Sequence, residues 1–110
     1  MNRDELLAFH KEFCEKTLAV MEAKNHDYAG SSGDDPFANF RAVELLGLCS
    51  KEKGVLVRML DKFQRLKNFE EAGRLAVAGE GPLDTCLDTV NYAILLAAMI
   101  TEKAGENQKE

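Results

Sequence analysis

The sequence predicts an all-α protein, a four-helix bundle that assembles as an oligomer. Three observations predict it. Apolar residues recur at helical spacing through most of the chain, residues suited to helix capping stand at the segment starts, and the last segment is apolar around most of its circumference. A chain of 110 residues is one domain, here residues 1–104, followed by a tail "GENQKE" at 105–110 whose polar composition predicts disorder.

The first helical segment runs from about Asn2 to Lys24. Asn2 and Glu5 have the spacing of a capping box, and Leu6, Phe9, Phe13, Thr17, Val20 and Met21 recur along one face. A loop follows, then a short second helix with Asp34 or Asp35 as cap and Pro36 in its first turn, ending near Gly47. Ser50 caps a third helix through about Glu70, with Leu56, Leu60, Phe63 and Leu66 as its apolar face and Gly73 as its stop. "RLAVAGEG" is a linker to the fourth helix, from about Pro82 to Lys103. Its residues Leu87, Val90, Ile94, Leu95, Ala97, Ala98 and Ile100 make it the central helix. It is apolar on more sides than three short neighbours can cover, which predicts a symmetric dimer or higher oligomer.

Lys and Arg total 14 against 19 Asp and Glu, a formal net charge of −5. General nucleic-acid binding needs a positive surface and is disfavoured. A local basic pocket for a small phosphorylated ligand remains open, as does an acidic surface for a basic partner. Cys14, Cys49 and Cys86 form no CxxC pair, and with His10 and His26 they make a poor zinc set. Scattered single cysteines point to a reducing, cytoplasmic setting. The run "YAILLAAMI" is too short to span a bilayer, so no membrane partner is expected.

Chemistry concentrates in three places. On the fourth helix Asp84, Asp88 and Asn91 lie on successive turns of one face, with Glu80 able to extend the row. Buried carboxylates need a counter-charge or a cation, so the row either holds a hard divalent metal or serves as a cap and as ion-pair partners. On the third helix Arg58, Asp61, Lys62 and Arg65 form either a solvated face or a second wall. In that wall Asp61 faces the carboxylates, and Lys62 and Arg65 hold phosphate oxygens. Between the first two helices lie Lys24, Asp27 and Tyr28, the glycines Gly30 and Gly33, then Phe37, Asn39, Phe40 and Arg41. The glycines permit close backbone approach to a phosphate or ribose. An aromatic ring beside Asn39 suits base recognition, while Phe40 reads more readily as an anchor of the loop to the core. His26-Asp27 alone, with only His10 besides, lacks the histidines of an HD phosphohydrolase.

Lys24, "DY" at 27–28, "PFANF" at 36–40, "DKFQRL" at 61–66 and "DTCLDTVNYAILL" at 84–96 together resemble the nucleotide modification associated domain family. These are small helical proteins seen chiefly in bacteriophages and prophages. The family is distantly similar to the all-α MazG and dimeric dUTPase-type pyrophosphohydrolases, in which acidic residues of two helices hold Mg²⁺ and water attacks the α-phosphate. The resemblance implies metal ligation by Asp84 and Asp88 with Asp61 helping, and catalytic roles for Asp61 and Asp88. It also implies substrate contacts from Lys24, Asp27, Tyr28, Asn39, Arg58, Lys62, Arg65 and Asn91. The EExxE motif of those enzymes has no counterpart here, and Glu44 and Asp61 stand nearest to its place.

Three functions are therefore expected to compete. The first is a Mg²⁺-dependent nucleoside triphosphate pyrophosphohydrolase. The second is a non-catalytic binder that sequesters a nucleotide or a nucleotide-derived defence signal in the bacterial cytoplasm. The third is an inhibitor whose acidic surface blocks a host nucleic-acid enzyme or defence protein.

Overall fold

The structure is a computed structural model that describes residues 1–28, 35–73 and 81–109, with the side chains of residues 1–25, 35–73 and 81–107. Among them the chain is all-α, in the order α1 (Arg3–Tyr28), a 3₁₀ turn (Ala38–Phe40), α2 (Ala42–Leu45), α3 (Lys51–Ala72) and α4 (Pro82–Lys109). The expected linker at 74–80, and Gly30, Gly33, Asp34 and Glu80, lie outside the described residues.

The helix ends follow from their local chemistry. The Glu5 N–H donates to Asn2 Oδ1 at 2.9 Å, and the Asn2 N–H donates back to Glu5 Oε2 at 3.3 Å, the reciprocal capping box. Ser50 Oγ accepts from the Lys53 N–H at 3.1 Å and starts α3. Gly73, at φ 76°, ends α3 by donating its N–H to the Phe69 carbonyl. Gly47, at φ 72°, ends α2. Its N–H bonds to the Glu44 carbonyl and the Leu48 N–H to the Val43 carbonyl, the paired bonds of a Schellman stop. At α4, Pro82 occupies the first turn, where its missing N–H costs nothing, and Asp84 Oδ2 accepts from the Gly81 N–H at 3.2 Å.

Two boundaries differ from expectation. α1 continues four residues past Lys24, through His26, Asp27 and Tyr28. α4 continues through Lys109, so the expected disordered tail is helical over residues 105–109. No proline interrupts that end, and Gly105 alone costs only about 1 kcal/mol of helix propensity. Taken whole, Pro82–Asn107 is long and apolar enough to cross a membrane by length and composition, a test that the shorter run "YAILLAAMI" fails.

α4 is the common partner of the other helices: α3 packs along it closely and α1 more lightly. The core among the described residues is small. Phe37, Phe40, Val55 and Met99 are buried, and Met59, Tyr92, Leu95 and Leu96 are packed against them. Val55 and Met59 on α3 thus face the core, while Leu56, Leu60 and Phe63, the expected apolar face, are exposed. Only Leu66 of that predicted face is partly buried. The offset arises because two adjacent apolar stripes run along α3 and periodicity cannot choose between them. On α1 the inner end packs through Thr17, Val20 and Met21, whereas Leu6 and Phe9 are exposed. The short α2 sits close on the start of α3: a Cβ on Gly54 would stand 3.2 Å from Val43 Cγ2.

Gly47→Ala tests how much the Schellman stop matters. A Cβ at positive φ strains the backbone although no neighbour crowds it, so the variant should lose about 1 kcal/mol in urea unfolding without loss of helix content.

Candidate functional site

One cavity gathers residues from all parts of the fold. It is lined by Met21, Lys24 and Asn25 of α1, Pro36, Asn39 and Phe40 of the turn, Arg58 of α3, and Asp88, Asn91, Tyr92 and Leu95 of α4. The cavity is open on one side and has a volume of about 60 Å³. At roughly 15 Å³ per water, that is room for about four waters.

The turn is positioned by Asp35. Its Oδ1 accepts from the Phe37 N–H at 3.0 Å and its carboxylate pairs with the Arg41 guanidinium, with Nε at 2.6 Å from Oδ2. Phe37 and Phe40 are both driven into the core from this turn; the anchor role was expected of Phe40, and the burial of Phe37 leaves its ring packed in the core as well. Phe40 meets Tyr92 edge to face at 6.5 Å between centroids, and the Arg58 guanidinium lies 4.9 Å above the Phe40 ring. The cation is thereby held at the cavity wall by an aromatic face and not by a carboxylate.

Asp88 is the electrostatic centre. Lys24 Nζ of α1 stands 3.3 Å from its Oδ1 and Lys62 Nζ of α3 stands 3.2 Å from its Oδ2. One carboxylate so ties three helices together, and with Arg58 the local balance among the described residues is three cations to one anion. Three residues on, Asn91 is buried, with 8 % of its surface exposed. Its Nδ2 donates to the Thr17 carbonyl at 3.0 Å, which fixes the amide, and its Oδ1 has no partner among the described residues. A buried acceptor left unpaired costs about 1–3 kcal/mol, so this atom is ready for a donor.

The structure thus brings together Lys24, Asn39, Arg58, Asp88 and Asn91, with Lys62 reaching Asp88 from α3. It does not bring Asp61, Arg65 or Asp84 to the cavity wall. Asp61 is exposed and pairs along α3 with Arg65 at 3.4 Å, and Asp84 caps α4. The side chains of Asp27 and Tyr28 lie outside the described residues. Among the described residues no three His, Cys, Asp or Glu side chains are grouped to hold a metal ion. Asp88, the carboxylate that lines the cavity among the described residues, faces two ammonium groups. Sequence reasoning missed Met21, Tyr92 and Leu95 as lining residues. Their helical spacing marked core, and only the placement of the turn shows that this part of the core is open.

The Asp35–Arg41 turn predicts a pH effect. The Arg41 hydrogen bond, with the Phe37 N–H, holds the Asp35 carboxyl below its ordinary value of 3.8. A folded value lower than the unfolded one means that the stabilisation is present at neutral pH. It is lost as pH falls from 3.8 through the depressed value. Wild type should melt above Asp35→Asn at about pH 6, and the gap should close by about pH 2.

No protein-family model, no curated protein and no solved structure matches this chain.

Proposed function

We propose that the protein is a phage-type nucleotide-handling protein that binds, and does not hydrolyse, a nucleotide or nucleotide-derived small molecule at the Asp88 cavity. The observation that carries this reading is the juxtaposition of Lys24, Lys62 and Arg58 with the amides of Asn39 and Asn91 and the rings of Phe40 and Tyr92. The excess of positive charge suits phosphate oxygens. The open Asn91 Oδ1 suits a base or sugar donor, and the aromatic edge suits a flat ring. The motif resemblance to the nucleotide modification associated domain family points to the same class of ligand. Pyrophosphate release would need carboxylates converging on a divalent cation. Asp61, Asp84 and Asp88 each have another partner: Arg65, the Gly81 N–H, and the two lysines. The protein works as a homo-oligomer, since about half of the large apolar side chains among the described residues of the protomer are exposed.

The experiment is a calorimetric panel of nucleoside mono-, di- and triphosphates and cyclic nucleotides with Mg²⁺, scored for both binding and pyrophosphate release. Stoichiometric binding without product is expected. Arg58→Ala should weaken it tenfold or more, the equivalent of about 1.5–3 kcal/mol for a charge-assisted contact. Asp88→Asn should keep or raise affinity, because it removes a negative charge that competes for the two lysines. Pyrophosphate release that disappears in Asp88→Asn would instead establish the hydrolase, and no binding by wild type would sink both readings.

A further inference from the structure

α4 carries a second apolar pattern, away from its packed face, that the described residues of the protomer cover only in part: Leu87 and Val90 on it are half-buried, and Leu83, Ile94, Ala97 and Thr101 are exposed. Its packed face includes Thr85, Tyr92 and Met99, which recur every seven residues. At 100° per residue the opposite face is Leu83, Leu87, Val90, Ile94, Ala97 and Thr101, spaced four, three, four, three and four apart. That alternation is the a/d seam of a helix pair. No charged residue falls on it. Leu83 and Ile94 on the seam are 62 % and 47 % exposed. Ala93 and Ala98 flank the seam and, with Ala97 on it, leave room for a second helix to approach closely.

We propose that two copies of this chain associate through this seam, α4 against α4, as an isologous dimer. The inference takes the homo-oligomer from the functional reading above and assigns its surface. Area favours a second copy as the occupant. The chain exposes 8216 Å², against roughly 6,000 Å² for a compact monomer of its mass. The surplus is of the size that an obligate dimer removes, about 1,000–2,500 Å² per protomer. Pattern favours it too, because a seam of identical residues is self-complementary about a two-fold axis. A lipid bilayer is the poorer occupant. The other flank of α4 holds Asp88 between Lys24 and Lys62, and membrane insertion would bury those charges with it. The seam lies opposite the packed face, so each protomer keeps its own complete cavity, and a dimer binds two ligands.

Sedimentation equilibrium at micromolar concentration should give the dimer mass, and the melting temperature should rise with protein concentration. Ile94→Glu should be monomeric. Ile94→Ala, which adds no charge and keeps the helix, should weaken the dimer at least tenfold with an unchanged circular dichroism spectrum. Leu60→Glu, on the exposed stripe of α3, should stay dimeric. Three results would overturn the seam: a wild-type monomer with a concentration-independent melting temperature, a dimer broken by Leu60→Glu but not by Ile94→Glu, or a monomer that floats with phosphatidylcholine vesicles. A dimer that binds no nucleotide would leave the seam standing and remove only the ligand reading.

Discussion

Everything in this structure hangs on α4, because α1 and α3 both pack on it. A helix that serves two neighbours must present two differently suited flanks. α4 meets α3 through Tyr92, Leu95, Leu96 and Met99, which join Val55 and Met59 in the small core. It meets α1 with polar groups, the Asn91 amide on the Thr17 carbonyl and the Asp88 carboxylate on Lys24. Apolar burial at roughly 25 cal/mol per Å² stabilises the first contact without fixing its register closely. Directional bonds set the second.

The cavity exists because those two kinds of contact diverge. α1 rests on α4 through a few polar bonds and leaves a gap that the 3₁₀ turn closes from the side with Phe40 and Asn39. Lysines from opposite sides meet one carboxylate there, and the charge they carry exceeds what it can neutralise. The Asp88 carboxylate holds the two lysines in place from opposite sides, so the positive charge is assembled before anything else meets it. Arg58, held over a ring, is not committed to that carboxylate in the same way.

Much of this was legible from residue types alone, and the pattern of success is physical. Asn2 with Glu5, Ser50, Gly47 and Gly73 act within three or four residues of themselves, so their roles could be read directly. Asp88 and Asn91 could be singled out because polar residues on an otherwise apolar helix need partners, whereas Lys24, Asn39 and Arg58 are marked by loop composition, helix spacing and the family resemblance. Which of two stripes on α3 would face inward was not legible. Leu56, Leu60 and Phe63 repeat as regularly as Val55 and Met59, and only the partner chooses. Asp61 and Asp84 were drawn toward the site by motif position. In the structure each is claimed by a partner a single turn away, Arg65 and the Gly81 N–H, which is the shorter reach for a side chain.

The bond between Asn91 and the Thr17 carbonyl joins residues 74 apart in the chain. α3 and α4 form a hairpin of neighbouring elements, whereas α1 returns to α4 only across the whole intervening chain. In terms of contact order the hairpin is the local part of the protein and α1 the distant one, and ring closure costs entropy before it returns any contact. The Lys24–Asp88 and Asn91–Thr17 bonds lie across that longer closure, whereas Lys62 reaches Asp88 within the hairpin. The hairpin therefore carries most of the core, and α1 supplies a cavity wall that only a long-range closure brings into place.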